Sequence, residues 1–354
     1  MLNTPKYSYS VSSLDTLAQS GTSLYQKSPV IVGGTGTDML NTKALEGKTK
    51  RKYITQKIVL SLIDVAKAKS DDYMLNSYWN TYHCQSEIYS KDNRLYGNYC
   101  KNRFCTVCLA NRKADIINKY LPYIQEHWNE PFFLTLTVKA VKAEQLHKRI
   151  YEMKKMFDKI IGKYRKRYQR GTDIKLYGIK SLECNYNPVN KTYNPHFHLI
   201  LPNLKIGTTL KREWREYWND PKIVTASAQM LKRVKDKEAA LIEIIKYGSK
   251  IFTEPDIKQK GKQKGTPYIY VEALHNIFCV LRGQRIFDRF GFNLPIEYTV
   301  KQRKTKVINE YQTWEYQANI CNWLSPETEE LLSKYVLPKE LEGLLENNRV
   351  TGFT

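Results

Sequence analysis

Four of the seven cysteines crowd into one short segment, and this limits how that part of the chain can fold. They are spaced as Cys84, then Cys100-x4-Cys105-x2-Cys108. Four thiolates gathered in this way are typical of a tetrahedral zinc site, and the metal would fold a segment too polar to fold alone. The adjacent His83 is an alternative ligand to Cys84. The competing interpretation is four free or buried thiols without a metal.

The compartment implied by the sequence favours metal over disulfides. The N-terminus lacks the basic start and apolar run of a signal peptide, and no stretch approaches the roughly 18 apolar residues of a membrane span. We therefore expect a cytoplasmic protein without membrane contact, in which thiols stay reduced. The scattered Cys184, Cys279 and Cys321 are interpreted as plain buried residues, and His275 is assigned no role.

The charge balance favours a polyanionic partner. The 354 residues include 57 Lys and Arg against 35 Asp and Glu, a formal net charge of +22, which suits nucleic acid. The residues expected to contact DNA lie beside the cysteines and in a basic run interleaved with aromatics: Arg103, Arg112, Lys163, Arg165, Lys166, Arg167 and Arg170. For the basic run, a solvated helix face is the alternative.

Hydrophobic patterning predicts a mixed α+β chain. The clearest strand is Pro131–Val138, and two more are predicted at Lys175–Cys184 and His196–Leu201. Helices are predicted at Ile54–Ala66, Leu109–His127, Glu144–Tyr168, Leu210–Trp218, Ala226–Tyr247 and Leu274–Phe290. Residues 1–45 are expected to form a disordered arm, and the last 60 residues a strand and then a helix. A phosphate-binding GxxxxGK[ST] loop is absent from the sequence, which excludes NTP hydrolysis by that route.

A histidine pair lies in the third predicted strand. His196 and His198, at i and i+2, point to the same face of a sheet and are able to share one divalent ion. Glu183 ends the preceding strand and would lie near them if the two strands pair antiparallel. Its oxygen suits Mg²⁺ or Mn²⁺. Structural histidines and a carboxylate at the sheet rim are the alternatives.

A third constellation is Glu243-x3-Tyr247-x2-Lys250 in a predicted helix. Glu243 and Tyr247 share a helix face at i and i+4. A metal or lysine stabilises negative charge on a tyrosine nucleophile, and a carboxylate one turn away is able to activate water. The chain has 26 tyrosines, so this spacing alone does not single out Tyr247.

The order of these motifs resembles that of the HUH endonucleases, and more closely that of the rolling-circle plasmid replication initiators of the Rep_1 type. The matching segments are Cys105–Arg112, Pro131–Val138, Pro195–Leu201, Glu243–Lys250 and Glu272–Gly291. The resemblance covers roughly residues 84 to 293. One departure is Asn194, where relatives commonly carry another histidine, so a possible contact behind the metal ligands is in doubt.

The resemblance implies a fold and a chemistry. It implies an HUH core, a central antiparallel sheet flanked by helices, preceded by a zinc-binding module that contacts DNA. His196, His198 and Glu183 would bind Mg²⁺ or Mn²⁺, and Tyr247 would attack a DNA strand to form a 5′-phosphotyrosine and a free 3′-OH primer. Glu243 would activate water to end the round, and Lys250 would steady the phosphate. A host helicase and DNA polymerase would be partners, in the bacterial cytoplasm.

The implied organisation has four parts: 1–45 as the arm, 46–128 as the helical, four-cysteine zinc-binding module, 129–293 as the nuclease domain and 294–354 as an extension. Two other functions stay open. A single-tyrosine transposase or a relaxase would use the same chemistry, although relaxases usually place the tyrosine before the histidines. A non-catalytic, zinc-containing DNA-binding regulator would not cut DNA at all.

Overall fold

The computed structural model describes residues 28–245, 269–298, 305–347 and 349–350. Its α-helices are α1 (Thr42–Ala68), α2 (Asp72–Tyr82), α3 (Thr106–His127), α4 (Ala143–Gln169), α5 (Leu204–Trp218), α6 (Lys237–Ile245), α7 (Val271–Leu281) and α8 (Lys339–Asn347). Its strands are β1 (Val30–Asp38), β2 (Glu87–Lys91), β3 (Arg94–Gly97), β4 (Phe132–Thr137), β5 (Gly178–Asn187), β6 (Thr192–Leu201), β7 (Met230–Arg233), β8 (Ile269–Tyr270), β9 (Phe287–Phe290), β10 (Thr305–Ile308), β11 (Gln312–Gln317), β12 (Asn322–Leu324) and β13 (Arg349–Val350). Among these helices, none has a stretch both long and apolar enough to cross a membrane.

The central sheet has five antiparallel strands in the order β7-β4-β6-β5-β9. Its middle strand, β6, lies between β4 and β5. In this register His196 is opposite Glu183 on one side and opposite Thr137 on the other. His198 is opposite Thr135. The predicted α+β class with a central antiparallel sheet is confirmed.

One face of the central sheet is covered by α4 and α5. Apolar residues recur in α4 every three or four positions, from Leu146 to Tyr164, and form its buried stripe, as expected of an amphipathic helix. The ring of Phe157 in this stripe lies 5.4 Å from that of Phe197 on β6. From α5, Trp214 approaches the same Phe197 ring at 5.9 Å. This face forms the apolar side of the core.

The opposite face is covered by α3 and α6. Phe287 on β9 is opposite Ser181, and Tyr120 of α3 contacts its ring at 5.6 Å. α6 packs against α3 and contacts β5 and β6. Because side chains two apart on a strand share a face, Ser181 and Glu183 lie on this side, together with both histidines of the pair. The two helices therefore cover the face of the sheet that carries the predicted metal ligands.

A second antiparallel sheet joins distant parts of the chain in the order β10-β1-β3-β2-β11-β12. β1 pairs with β10, more than 260 residues later in sequence. The N-terminal helices pack beside this sheet, and the ring of Tyr78 on α2 lies 5.1 Å from Phe104. Phe104 in turn lies 4.9 Å from Phe278 on α7. These rings connect the cysteine segment to both helices.

Three secondary-structure predictions are wrong. Residues 30–45 are not a disordered arm, because β1 pairs with β10 and β3 and α1 begins at Thr42. The predicted helix at Ala226–Tyr247 begins only at Lys237, because Met230–Arg233 pairs with β4 as an edge strand. The predicted helix at Leu274–Phe290 ends at Leu281, and Phe287–Phe290 joins β5 instead. The division of the chain into four parts stays a prediction.

Candidate functional site

The predicted ligands Glu183, His196 and His198 converge on one point of the central sheet. The Nε2 atoms of the two histidines are 3.1 Å apart. Glu183 Oε2 lies 3.4 Å from each of them. The antiparallel pairing of β5 with β6 causes this convergence, since it sets Glu183 directly beside His196.

The Nδ1 atoms of His196 and His198 also have polar contacts. His196 Nδ1 lies 3.0 Å from the backbone carbonyl of Asn194, and His198 Nδ1 lies 3.1 Å from Thr135 Oγ1. A carbonyl only accepts hydrogen bonds, so Nδ1 of His196 carries a proton, and in the neutral ring Nε2 therefore presents a lone pair. The same tautomer of His198 donates to the Thr135 hydroxyl. This contact to His196 comes from the backbone of Asn194 and does not use the side chain at that position.

The electrostatics of the cluster favour a cation. The side chains of Glu183 and His198 are 4% and 13% exposed. Burial raises the pKa of Glu183, but hydrogen bonds and charge interactions with the two histidines in their protonated form outweigh this and lower the pKa to about 2. With neutral rings, these interactions are lost. The Oε1 atom of Glu183 is buried without a hydrogen-bond partner among the described residues. Two lone pairs and a carboxylate facing one another repel unless a cation or proton lies between them.

The spacing fits a divalent metal. Neighbouring ligands of an octahedral ion with bonds of roughly 2.1 Å are about 3.0 Å apart, and those of a tetrahedral ion about 3.4 Å. The observed separations of 3.1 and 3.4 Å fall in this interval. Two imidazoles and one carboxylate suit Mn²⁺ and Zn²⁺, and with further oxygen ligands also Mg²⁺. These three residues are thus able to hold a cation and leave positions open for a substrate.

One supporting residue is not evident from the sequence. Gln229, which is buried, accepts a hydrogen bond from the Thr137 backbone N–H (2.9 Å) and donates to the Thr137 carbonyl (3.1 Å). These two hydrogen bonds take the place of strand pairing at the end of β4, where the short edge strand β7 no longer reaches. Thr137 also donates its hydroxyl to the Asn194 side chain. An isolated glutamine in a polar stretch carries no periodic signal, which is why sequence reasoning overlooks it.

The four predicted zinc ligands form a second cluster. Cys108 Sγ lies 3.6 Å from that of Cys84 and 3.5 Å from that of Cys100, and all four sulfurs lie within 4.8 Å of one another. Tetrahedral zinc with Zn–S bonds of roughly 2.3 Å separates its sulfurs by about 3.8 Å. Cys105 caps α3 and accepts the Cys108 N–H at 3.4 Å. The fit to zinc is therefore close.

Buried lysines surround this cluster. A zinc ion held by four thiolates would carry a net charge of −2, which the nearby Lys48 and Lys52 would offset. Lys52 Nζ donates to the carbonyl of Cys84 at 2.8 Å. Burial lowers its pKa to about 8, and the neighbouring thiols oppose this shift. His83, the alternative ligand, stacks on Trp79 and is not part of the sulfur cluster.

The third constellation is only partly described. Glu243 is half-buried on α6, which packs on the face of the central sheet that carries His196 and His198. Tyr247 and Lys250 lie outside the described residues. Their roles stay predictions.

The predicted DNA-contact residues occupy two places. In the basic run, Lys163 is bound to the buried Glu213 at 2.7 Å and Arg167 lies 3.4 Å from Asp173. Exposed charges remain in the same run at Arg165, Lys166 and Arg170. Near the cysteines, Arg103 donates to the carbonyl of Leu281 and Arg112 to that of Lys101.

Known proteins resemble this chain in its middle part. The model of the Rep_1 family, described as replication protein, matches residues 93–276. A "Protein rep" of Staphylococcus aureus is 35% identical over 172 residues, which is 44% of this chain and 72% of that protein. A "Protein rep" of a Bacillus species is 33% identical over 164 residues, which is 42% of this chain and 52% of that protein. No solved structure matches. The family match includes Glu183, both histidines of the pair and Tyr247.

Proposed function

This chain belongs to the Rep_1 family of replication proteins, the initiators of rolling-circle plasmid replication, and we propose that it starts replication by nicking one DNA strand at the plasmid origin through tyrosine transesterification. The observation that carries this proposal is the convergence of Glu183, His196 and His198 within 3.4 Å of one another. Such a site suits a nuclease that acts on a phosphodiester.

The protein side of the metal site is preorganised. His196 and His198 present Nε2 lone pairs because their Nδ1 atoms are engaged, and Glu183 adds a negative charge. A bound Mg²⁺ or Mn²⁺ supplies Lewis-acid stabilisation of the charge that develops on the scissile phosphate. The side chains of the three ligands are nearly buried, so they need little reorganisation when DNA binds.

Tyr247 is the proposed nucleophile. Its phenolic oxygen forms a bond to the scissile phosphorus while the bond from phosphorus to the 3′ oxygen breaks. The phenolic proton passes to solvent, and the leaving 3′ oxygen takes up a proton to become the 3′-OH that primes synthesis. The phosphodiester energy is kept in the 5′-phosphotyrosine, so a later 3′-OH is able to rejoin the strand without ATP.

Two residues complete the proposed cycle. Glu243 activates a water molecule that ends the replication round, and Lys250 binds the phosphate. Support for Glu243 comes from its position on α6, which packs over the face that carries the metal ligands.

The proposed DNA contacts use the zinc module and the basic run. The exposed Arg165, Lys166 and Arg170 suit the backbone of the origin DNA, single-stranded or in a hairpin. The chain lacks a phosphate-binding loop for NTP hydrolysis, so we propose that a host helicase unwinds the duplex and that a host polymerase extends the primer.

The proposal is tested with a labelled single-stranded origin oligonucleotide and Mn²⁺. A covalent protein–DNA adduct is expected on a denaturing gel for the parent protein and for Tyr151→Phe, a change at an exposed tyrosine of α4. The adduct should be absent for Tyr247→Phe. An adduct that survives in Tyr247→Phe would move the nucleophile elsewhere. Tight DNA binding without any adduct would favour a DNA-binding regulator.

A further inference from the structure

A third group of metal-type ligands lies away from both sites described above. It consists of Asp71, between α1 and α2, and of His275 and Cys279 on α7. Cys279 Sγ lies 3.4 Å from His275 Nε2 and 3.5 Å from Asp71 Oδ2. The remaining separation, from His275 Nε2 to Asp71 Oδ2, is 3.9 Å. The sequence patterns predict no role for His275 and only a buried thiol at Cys279.

Two of the three ligand residues are oriented by a second contact. Asp71 uses Oδ1 to cap α2 through the Met74 N–H at 3.0 Å, which leaves Oδ2 for the cluster. His275 Nδ1 lies 3.0 Å from the Tyr78 hydroxyl, so Nε2 points at the other two groups. His275 and Cys279 are at i and i+4 of one helix, the spacing that sets two metal ligands on one face.

The distances fit tetrahedral zinc. With bonds of roughly 2.3 Å to sulfur and 2.0 Å to nitrogen and oxygen, sulfur lies about 3.5 Å from each lighter ligand and the lighter pair about 3.3 Å apart. The observed sulfur separations, 3.4 and 3.5 Å, agree. The 3.9 Å separation between His275 and Asp71 requires a movement of about half an ångström to reach the tetrahedral value. A thiolate, an imidazole and a carboxylate together form a donor set that zinc accepts.

We propose that Asp71, His275 and Cys279 bind a second zinc ion, which fastens α7 to the junction of α1 and α2. Binding forms a sulfur–zinc bond at Cys279 and releases the thiol proton to solvent. A water molecule takes the fourth position. Lys69 carries a positive charge near His275. Its ammonium group lies 2.6 Å from a carboxylate oxygen of Glu272. This ion pair offsets the charge, so Lys69 repels a bound metal only weakly.

The proposed zinc ion would lie between two predicted parts of the chain. α7 belongs to the predicted nuclease domain, and Asp71 belongs to the predicted zinc-binding module. The ion would therefore cross-link two parts of the chain that are 208 residues apart in sequence. Closing so long a loop through a metal restricts the unfolded chain and favours the docked arrangement. The inference goes beyond the proposed nicking function and does not depend on it.

The test is the zinc content of the full-length protein. Glu183→Ala/His198→Ala is the background, so that the first metal site does not add to the count. After dialysis against zinc and then metal-free buffer, elemental analysis should give two zinc ions per chain. Cys279→Ala and Asp71→Asn should each give one. Asn caps a helix as well as Asp does, so Asp71→Asn removes the carboxylate and keeps the fold of α2.

The matched control is Cys184→Ala, which removes a buried thiol that is not a member of the cluster and should leave two ions. Circular dichroism establishes that each variant is folded. Cobalt substitution provides a second measurement, in which Cys279→Ala lowers the d–d absorption but keeps the four-thiolate charge-transfer band. One zinc per chain in the background protein, or two in both Cys279→Ala and Asp71→Asn, would show that the three residues form only a hydrogen-bonded cluster.

Discussion

Replacing Thr135 by valine tests the hydrogen bond that orients His198, one of the proposed metal ligands. The Thr135 hydroxyl lies 3.1 Å from His198 Nδ1 and accepts a hydrogen bond from its N–H when Nε2 faces the metal. Valine keeps the branched shape and the strand propensity of threonine but has no acceptor. In Thr135→Val the imidazole must leave its N–H unsatisfied whenever it binds metal, whereas the metal-free ring is able to turn or change tautomer.

The size of the effect follows from this difference. An unsatisfied, mostly buried N–H costs about 1–3 kcal/mol, and His198 is 13% exposed. Removing a partner behind a metal-binding histidine typically weakens metal affinity about 10- to 100-fold, which is about 1.4–2.7 kcal/mol. We therefore expect the Kd for Mn²⁺ to rise by about 10- to 100-fold in Thr135→Val.

Isothermal titration of Mn²⁺ into the parent and variant proteins measures this change. Thr137→Val is the matched control, because Thr137 is two residues along the same strand and face but donates to Asn194 instead of contacting an imidazole through its hydroxyl. It should bind Mn²⁺ within about threefold of the parent, a difference below about 1 kcal/mol. Equal affinities of Thr135→Val and the parent would refute the assigned tautomer of His198. An equal weakening in Thr137→Val would show that the loss is not specific to the Thr135–His198 contact.

Two further predictions concern stability and DNA binding. Gln229→Ala should lower the free energy of unfolding by about 2 kcal/mol, since it leaves the Thr137 N–H without a partner and the Thr137 carbonyl with only the Trp214 indole N–H. Urea unfolding against the exposed control Gln125→Ala measures this, and equal midpoints would contradict it. Changing Arg165, Lys166 and Arg170 to glutamine should weaken DNA binding at low salt and reduce the slope of log K against log salt by about 0.7–0.9 for each phosphate that the variant no longer neutralises. An unchanged slope would show that the basic run is only a solvated face.

Local patterns in the sequence predict which residues come together in the two clusters. Side chains at i and i+2 of a strand share a face by geometry alone, so His196 and His198 are predictable as a pair. The cysteine spacing predicts its cluster for a similar reason, because its last two members lie in one turn at the start of α3. The order of these motifs along the chain is also enough to identify the family, since each motif keeps its place in sequence.

Pairing between strands that are distant in sequence is not predictable from these local patterns. Ala226–Ile245 has helical spacing throughout, yet Met230–Arg233 is a strand because the edge of β4 offers hydrogen-bond partners that a sequence window does not contain. β1 is similar, since its partner β10 comes more than 260 residues later.

The contacts that orient the ligands belong to the tertiary structure as well. Composition and short-range periodicity identify which residues are able to bind a cation, because these properties depend on residue type and on positions a few residues apart. They do not reveal that Thr135 lies behind His198, or that Asp71 lies 3.5 Å from Cys279 across 208 residues of chain. Such distances arise only when strands pair and helices pack, because burial of apolar surface by the whole chain selects which distant segments meet.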